Sequence, residues 1–309
     1  MKYYFIVNPA AKTGKGSGLW DEIEGKLESA KIDYEAFFTT GEGSATSIAE
    51  NICTDHPESK RIVIVGGDGT INEAVNGLND YSHITLGIIP AGSGNDLARG
   101  LDIPTDPERA LQHVIHPRKF IKVDHGCVEY LDEDGRKRKF AVSSGIGYDA
   151  DICYIAGKSP LKKLLNRFGL GSSIYYITGL KLVFANRRAG TSLLLDGKRR
   201  IKCDRTVFVT AMNTLYEGGG YPMAPGADPC DARISLLVVN GITRLKHCLL
   251  MLKVKKGEHI KFKGVDVYTC RTCEIEADRP LVVHTDGEFA GRHSHIRYSI
   301  LPEQIRMMI

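Results

Sequence analysis

Apolar segments alternate with helical ones through the first 120 residues, and this alternation limits the fold more than any other feature. Tyr3–Val7, Arg61–Val65 and Thr85–Ile89 are near-continuous apolar runs that predict buried strands. Ser17–Ala30 and Ile71–Leu78 follow strands with the periodicity of helices. A strand that is apolar on both sides needs a covering layer on each. The pattern therefore predicts a parallel sheet with helices on both faces.

The pattern changes near Arg118, where short strand-like segments separated by Asp-Gly turns begin. Phe120–Val128 predicts the first of these strands. A series of short strands indicates an antiparallel sheet or sandwich. We therefore expect an α/β nucleotide-binding domain over residues 1–123 and a β-rich sandwich domain over residues 124–297, with residues 298–309 returning to the first domain.

Composition narrows the class of partner and the compartment. A net charge of +4 is too small to indicate a nucleic-acid partner. We expect neither a signal peptide nor a transmembrane helix, since no basic leader precedes the first apolar strand and no run of about 18 apolar residues occurs. The 8 cysteines show no disulfide pattern, which favours reduced thiols in the cytoplasm.

Cys270 and Cys273 form a C-x-x-C pair, the spacing of many zinc sites. A zinc site needs two further ligands, and His284 is the nearest candidate with no second partner. The residues around the pair alternate as in a strand, which predicts that the two thiols face opposite sides. Ordinary core thiols are therefore favoured over a metal site.

The strongest motif is a glycine-rich loop between the strand Arg61–Val65 and the following helix. Loops of this kind lie beyond the carboxyl ends of parallel strands, where such sheets bind ligands. Glycines leave room for a phosphate, and the backbone N–H groups of the loop and helix start supply donors. Asp68 can hold a water on Mg²⁺ and Thr70 can donate to a phosphate oxygen, although Asp68 can also serve only as a helix cap. The motif consists of Gly66, Gly67, Asp68, Gly69, Thr70, Ile71 and Asn72.

A second loop, Pro90–Asp96, follows the strand Thr85–Ile89 and opens another helix. Two such loops in adjacent units indicate a site with two sets of donors for a phosphate-containing ligand. Neither the P-loop pattern nor the dinucleotide-binding pattern fits. Gly16 separates Lys15 from Ser17, and neither glycine pair has the third glycine of the dinucleotide motif.

These motifs, in this order along the chain, resemble the diacylglycerol kinase catalytic family, which includes soluble bacterial lipid kinases and sphingosine and ceramide kinases. The resemblance covers nearly the whole chain. Gly-Gly-Asp-Gly-Thr also occurs in NAD kinases, whereas the Gly92–Asp96 loop and the late Asp286-Gly287-Glu288 are lipid-kinase features. The matching segments are Asn8-Pro9 with Gly14 and Gly16, Thr40, Gly43–Ala45, Gly66–Thr70, Gly92–Asp96, Asp124, Gly218–Gly220 and Asp286–Glu288.

The resemblance assigns roles to individual residues. It implies that ATP contacts Asn8, Thr40, the Gly66–Asn72 loop and Ser93. Taken alone, Asp286-Gly287 is a hairpin turn at the end of a strand Leu281–His284. The resemblance implies instead that Asp286 is the general base toward a lipid hydroxyl, oriented or supported by Glu288.

Two further aspartates carry implied roles that involve Mg²⁺. Asp124 would belong to a hydrogen-bond network that leads to the nucleotide's Mg²⁺. A structural Mg²⁺ would be held by the carboxylate of Asp231 and the backbone carbonyls of Asp228 and Arg233. The usual Asp-Asp-Gly of this loop is Cys230-Asp231-Ala232 here, so one carboxylate and a permissive glycine are missing.

Residues 152–195 contain no Asp or Glu but carry a set of basic residues with leucines at helical spacing. A basic amphipathic helix favours an anionic membrane surface, and a solvated helix face packed on the β domain is the alternative. We expect this segment to act at the membrane. The basic residues are Lys158, Lys162, Lys163, Arg167, Lys181, Arg187 and Arg188.

The sequence thus predicts a cytoplasmic, peripherally membrane-associated enzyme that transfers the ATP γ-phosphoryl group to a lipid hydroxyl with Mg²⁺. Diacylglycerol is the default acceptor. The alternatives are an NAD kinase-like enzyme with a soluble substrate and a non-catalytic nucleotide- or lipid-binding regulator. Whether the chain forms a homodimer is left open.

Overall fold

The computed structural model describes residues 2–11, 16–159, 173–185 and 187–309. Its backbone divides into two units. Unit 1 comprises Met1–Val123 with Glu303–Ile309, and unit 2 comprises Asp124–Pro302. Gly14 and most of the predicted basic helix, including Lys162, Lys163 and Arg167, lie outside the described residues.

Unit 1 is built on a six-stranded sheet in the order β2-β1-β3-β4-β15-β5. The strands β1 to β4 and β15 run parallel, and β5 pairs antiparallel with β15. The strands are β1 (Tyr3–Val7), β2 (Tyr34–Phe38), β3 (Lys60–Gly66), β4 (Ile84–Pro90), β5 (Phe120–Val123) and β15 (Ile305–Met308). The helices are α1 (Gly16–Ser29), α2 (Ser44–Asp55), α3 (Asp68–Gly77), α4 (Asp96–Gly100) and α5 (Pro107–Ile115).

The strand order places a topological switch point between β1 and β3. The chain leaves β1 toward β2 at the sheet edge, then returns to β3 and continues toward β4 on the other side. Ligands of open α/β sheets bind where strand order reverses in this way, beyond the carboxyl ends of the strands. Asn8 follows β1 and Gly67 follows β3, so both predicted phosphate-site residues lie at this point.

Unit 2 contains a nine-stranded antiparallel sheet in the order β12-β11-β10-β8-β13-β14-β6-β7, with β9 paired to both β10 and β13. The strands are β6 (Gly126–Tyr130), β7 (Lys137–Phe140), β8 (Ser143–Gly147), β9 (Ala189–Leu195), β10 (Arg199–Met212), β11 (Ile234–Asn240), β12 (Val265–Cys270), β13 (Thr272–Thr285) and β14 (Glu288–Ile300). The helices are α6 (Tyr148–Lys158), α7 (Ser173–Ala185) and α8 (Arg244–Val254), followed by a 3₁₀ turn (Glu258–Lys261).

The sheet of unit 2 buries apolar residues on both faces. Along β11, Leu236 and Val238 belong to a core enclosed by the strands, whereas Leu237 and Val239 pack with residues of the helices. Successive side chains of a strand point to opposite faces, so one strand contributes to both cores. The second core includes Val183 of α7 and Leu250 of α8, which fixes these two helices on the same face.

Two predictions of local structure are wrong. The run Phe120–Val128 is not one strand, because β5 ends at Val123 in one sheet and β6 begins at Gly126 in the other. The alternation of side chains along the sequence continues across Asp124 and His125. This pattern therefore cannot reveal that the chain leaves one sheet and enters the other at these residues. Cys270 and Cys273 do not face opposite sides. Both lie in the same core, since the chain turns at Arg271 between β12 and β13.

Among the described residues, no helix is both long enough and apolar enough to cross a bilayer.

Candidate functional site

The two glycine-rich loops of unit 1 are in backbone contact. A Cβ added to Gly67 would lie 2.9 Å from the Cα of Gly92, and one added to Gly92 would lie 2.6 Å from the Cα of Gly67. The N–H of Ala91 donates to the carbonyl of Gly66 at 2.8 Å. Only glycine permits backbones to approach this closely, so the residue type is required at both positions. The structure thus brings the two predicted loops together.

The loop after β3 is also tied to the end of β1. The amide of Asn8 donates from Nδ2 to Oγ1 of Thr70 at 2.8 Å, and its N–H donates to the carbonyl of Val65 at 2.9 Å. A Cβ on Gly66 would lie 2.7 Å from the Cβ of Thr70. Asn8 and Thr70, predicted to contact ATP, are therefore held against each other at the switch point.

Asp68 has a role that joins the two loops. Its Oδ1 accepts from the N–H of Leu97, in the first turn of α4, at 3.3 Å. Asn95 adopts a left-handed φ of 54°, and its side chain accepts from the N–H of Gly92 and donates to the carbonyl of the same residue. Asn tolerates this backbone region because its short amide can bond locally. Asp68 thus binds the start of the neighbouring helix, and the N-cap position of its own helix is Gly67.

The remaining predicted nucleotide residues differ in what they can offer a ligand. Ser93 and Thr40 are exposed, and the N–H of Thr40 donates to Oγ of Ser44 at 3.2 Å. Ile71 and Asn72 are buried inside α3, so their side chains face the protein interior. The backbone of the first turn of α3, which includes Gly69, is where this segment can offer N–H donors to a phosphate.

In unit 2, Asp286 forms the turn between β13 and β14 with a left-handed φ of 48°. Its carboxylate accepts three backbone hydrogen bonds. Ala141 donates to Oδ2 at 2.8 Å, and Val142 and Ser143 donate to Oδ1 at 2.8 and 2.9 Å. The N–H of Asp286 donates in turn to the carbonyl of Ser143 at 2.8 Å. A carboxylate held by three donors from the β7–β8 connection and the start of β8 has a fixed orientation.

Glu288, the predicted support for Asp286, is exposed at the start of β14 and stands opposite Thr285 in the strand register. A cluster around the buried His284, which the sequence did not reveal, lies beside the same turn. Nε2 of His284 is 3.2 Å from Oε1 of Glu217 and 3.4 Å from Oδ2 of Asp149, while Nδ1 accepts from the N–H of Gly287 at 3.2 Å.

The direction of these hydrogen bonds identifies the tautomer of the neutral ring. Because Nδ1 accepts from Gly287, the proton of a neutral His284 is on Nε2, between the two carboxylates. His284, Asp149 and Glu217 have the side-chain types of a metal site, but a proton on Nε2 occupies the lone pair that a metal would need. Burial lowers the pKa of His284, but the hydrogen bond to Asp149 and the charges of Glu217, Asp149 and Asp286 outweigh it, and the net direction is upward.

Asp124 is buried where unit 2 begins. Its Oδ2 accepts from the N–H of Ala232 at 2.6 Å, and its N–H donates to the carbonyl of Pro229 at 2.7 Å. The loop that contains Asp228 and Asp231 is thus bound to Asp124. Burial raises the pKa of Asp231, the charges of Asp228 and Asp124 raise it further, and the hydrogen bond from Arg233 opposes them.

Asn213 connects this loop to the turn of Asp286. Its Nδ2 donates to the carbonyl of Asp124 at 2.7 Å and to the carbonyl of Ala141 at 2.8 Å. Ala141 is one of the three donors to Asp286. Asn213 is not among the residues predicted from the sequence. The signal available there is an amide directly after the largely apolar second half of β10, and a buried amide must find partners for its polar atoms.

Two family models together match most of the chain. The family model described as diacylglycerol kinase catalytic domain matches residues 2–128, and one described as YegS C-terminal NAD kinase beta sandwich-like domain matches residues 142–309, more than half of the chain. The chain belongs to the diacylglycerol kinase catalytic family.

Individual relatives agree with this assignment. The chain is 28% identical over 308 residues to a Bacillus subtilis protein provisionally named lipid kinase YtlR, which covers 99% of this chain and 98% of the relative. It is 27% identical over 292 residues to the diacylglycerol kinase of Bacillus subtilis, with 90% of this chain and 89% of the relative covered.

Solved structures show the same fold at lower identity. A Bacillus anthracis protein provisionally described as a diacylglycerol kinase superposes with a TM-score of 0.79 at 22% identity, covering 99% of this chain and 94% of the other. An NAD kinase from Archaeoglobus fulgidus in complex with ATP gives a TM-score of 0.50 at 14% identity, covering 100% and 94%. These two similarities concern the fold alone.

Proposed function

We propose that the chain is an ATP-dependent lipid kinase that transfers the γ-phosphoryl group of ATP to a lipid hydroxyl, with diacylglycerol as acceptor and phosphatidic acid as product. The observation that carries the proposal is the carboxylate of Asp286, oriented by the N–H groups of Ala141, Val142 and Ser143. A positioned carboxylate is what phosphoryl transfer to an alcohol requires, because the hydroxyl must lose its proton as it attacks.

The glycine loops of unit 1 supply the other half of the chemistry. Gly67 and Gly92 meet beyond the ends of β3 and β4, and neither presents a side chain at this point of contact. Backbone N–H groups at the start of α3, with the side chains of Asn8, Thr70 and Ser93, would bind the phosphates. Backbone donors of this kind would hold the phosphates of ATP in place without the lysine that a P-loop provides.

The loop around Asp231 fits a divalent cation by its chemistry. It offers the carboxylate of Asp231 and the backbone carbonyls of Asp228 and Arg233, and Mg²⁺ prefers oxygen ligands. Burial raises the pKa of Asp231, the carboxylates of Asp228 and Asp124 raise it further, and a cation among these groups would relieve the repulsion between them. When bound, Mg²⁺ supplies positive charge and holds this loop. Ala232 adopts a left-handed φ of 57° here, so the turn forms without the glycine that is usual in the family.

The residues of unit 2 would position the acceptor. Asp286 accepts a hydrogen bond from the lipid hydroxyl and takes its proton during transfer, while the three backbone donors hold the carboxylate in place. Asn213 keeps the segment that donates to Asp286 bound to the Asp124 loop. A lipid acceptor resides in a bilayer, so the proposal includes peripheral association with an anionic membrane.

The test is a panel assay with γ-labelled ATP and purified chain. Diacylglycerol, sphingosine and ceramide are offered in detergent micelles, with NAD and a no-acceptor control in parallel. Labelled phosphatidic acid, absent when Mg²⁺ is chelated, is the expected result. Labelled NADP alone would replace the proposal by the NAD kinase-like alternative, and ATP binding without transfer to any acceptor would favour a regulator. The intact Asp68 and Asp286 argue against a regulator.

A further inference from the structure

Helix α8 exposes three leucines on one side. Leu245, Leu249 and Leu252 are 73%, 47% and 61% exposed and follow the i, i+4, i+7 spacing of a single helix face. The opposite face is buried through His247 and Leu250. The buried face is sufficient to pack the helix on the sheet, so packing does not account for the exposed leucines. We call them the outer leucine face.

Helix α7 lies beside α8 and is apolar on its outward side as well. The two helices pack at Gly179, where an added Cβ would lie 2.9 Å from Cε of Met251. Buried residues of both helices share one core. The exposed large apolar residues of α7 are Tyr176 at 38%, Ile177 at 41%, Leu180 at 44% and Phe184 at 59%. Adjacent helices that both expose large apolar side chains mark an interaction surface rather than isolated exposed residues.

The charge around the outer leucine face is strongly positive. Residues 244–263 contain seven basic side chains and one acidic side chain, Glu258, a net charge of +6 compared with +4 for the whole chain. The remainder of the molecule therefore carries a net charge of −2. The basic residues are Arg244, Lys246, Lys253, Lys255, Lys256, Lys261 and Lys263.

A surface of leucines flanked by lysines fits an anionic lipid bilayer better than it fits a second copy of the chain or a nucleic acid. Apolar side chains enter the boundary between headgroups and acyl chains, while lysines extend to anionic headgroups. A second copy of the chain would bring the same +6 segment against itself in a two-fold contact, which like charge disfavours. Nucleic acid would attract the lysines but gives exposed leucines nothing to bury against.

We propose that α8, with the outward side of α7, is the surface through which this chain binds anionic phospholipid bilayers. The inference rests on the proposed lipid kinase function and deepens it by naming membrane-contacting residues. It adds α8 to the segment 158–188 that the sequence predicts to act at the membrane. Lysines supply a salt-sensitive attraction, and the outer leucine face supplies apolar burial that salt does not screen.

The experiment measures co-sedimentation of the full chain with phosphatidylcholine vesicles, with and without phosphatidylglycerol, at low and raised salt. One variant combines Leu245→Gln, Leu249→Gln and Leu252→Gln. A second combines Lys246→Gln with Lys256→Gln, and its matched control is Lys198→Gln with Lys202→Gln, two exposed lysines on and beside β10 that change the net charge equally. Val267→Gln, 42% exposed on β12, controls for loss of an exposed apolar side chain.

We expect the parent and both controls to bind anionic vesicles alike. The Lys246/Lys256 variant should lose about thirtyfold in affinity at low salt, and the leucine variant should lose the binding that persists at raised salt. Equal binding by all variants would overturn the proposal. So would a parent dimer that the leucine variant converts to a monomer in gel filtration with light scattering, because the face would then join two copies.

Activity on detergent-dispersed lipid separates this inference from the proposed function. If the variants bind vesicles like the parent while micellar activity persists, the surface assignment fails and the kinase stands. If no lipid is phosphorylated in micelles while the variants lose vesicle binding, the kinase proposal fails and the membrane surface stands.

Discussion

The N–H of Gly287 donates a 3.2 Å hydrogen bond to Nδ1 of His284, which ties the turn that carries Asp286 to a buried ring. The other nitrogen of that ring faces Glu217 and Asp149. The position of the proposed base therefore depends on residues in β8–α6 and the β10–β11 connection as well as on its own hairpin. His284 is a positioning residue in this arrangement, since it acts on the turn rather than on a substrate.

This arrangement predicts a specific pH dependence. Nδ1 accepts from Gly287 only while it is unprotonated, and the net upward direction of the His284 pKa places its protonation above 6.5. The stability that the charged ring contributes is complete below 6.5 and is lost as pH rises through the folded pKa. The turn of Asp286 depends on pH in the opposite direction, because protonation of Nδ1 breaks the hydrogen bond from Gly287. We therefore expect kcat to rise with pH as His284 loses its proton, with a midpoint above pH 6.5.

His284→Gln should remove this acid limb and lower kcat on the order of tenfold, because the turn of Asp286 shifts. The KM for ATP should remain that of the parent, since the residues proposed to bind the nucleotide are on unit 1. Steady-state kinetics across pH measure both quantities. An unchanged acid limb in the variant would show that another group titrates.

Replacing the proposed base tests the chemistry more directly. In Asp286→Asn, the amide NH₂ that replaces one carboxylate oxygen would face a backbone N–H donor from Ala141, Val142 or Ser143. Turnover should fall by about 10²-fold or more, ATP should still bind, and stability should fall by about 1–3 kcal/mol. Asp134→Asn is the matched control, because Asp134 also has a left-handed φ, of 40°, in an exposed Asp-Gly turn. Normal turnover in Asp286→Asn would remove Asp286 from the mechanism.

The contact between the glycine loops gives a third prediction. Gly67→Ala places a Cβ 2.9 Å from the Cα of Gly92, so one loop must move. ATP affinity measured by calorimetry should decrease about tenfold or more as the loops separate. Gly25→Ala in α1 meets open space and should instead stabilise the chain by about 0.5–1 kcal/mol with unchanged ATP binding. Parent-like affinity in Gly67→Ala would mean that the two loops do not form the phosphate site.

The features that could be predicted from the sequence are local ones. The strand before Gly66, the glycines after it and the turn at Asp286 each lie within a few consecutive residues, so periodicity and residue type identify them. The Asn213 network escaped prediction because its partners, Asp124 and Ala141, are 89 and 72 residues away. No pattern along the chain indicates which distant carbonyl a buried amide will reach.

Helix α8 escaped prediction for a different reason. Its buried Leu250 and exposed Leu245, Leu249 and Leu252 distribute apolar residues around the whole helix, so the 3.6-residue period is weak. A helix that is apolar on two sides binds its own protein with one and is free to bind something else with the other. The apolar residues on both sides of α8 weaken its periodicity in the sequence, and those on the exposed side support the membrane proposal.

The last prediction concerns acid stability and His247 on the buried face of α8. Burial lowers the pKa of His247 to about 4, and the charge of Arg188 acts in the same direction. The neutral ring is favoured in the folded state, so its contribution to stability is complete above pH 6.5 and is lost as pH falls from 6.5 toward 4. Between pH 7 and pH 5, His247 takes up a proton in the unfolded chain but not in the folded one. This difference should lower the free energy of unfolding by about 2 kcal/mol.

His247→Phe keeps an aromatic ring beside Tyr148, whose centroid is 4.3 Å away, and removes the titration. Among the described residues Nε2 of His247 has no hydrogen-bond partner, whereas Nδ1 is 3.4 Å from Nη2 of Arg188. The substitution should therefore cost about 1 kcal/mol through the lost hydrogen bond. This cost is the same at both pH values and cancels in the comparison. Urea unfolding at pH 7 and pH 5 should therefore show a loss in the variant that is about 2 kcal/mol smaller than in the parent. His116→Phe, at an exposed histidine, should leave the difference unchanged. Equal losses in His247→Phe and parent would mean that His247 is protonated at the same pH in the folded and unfolded chains.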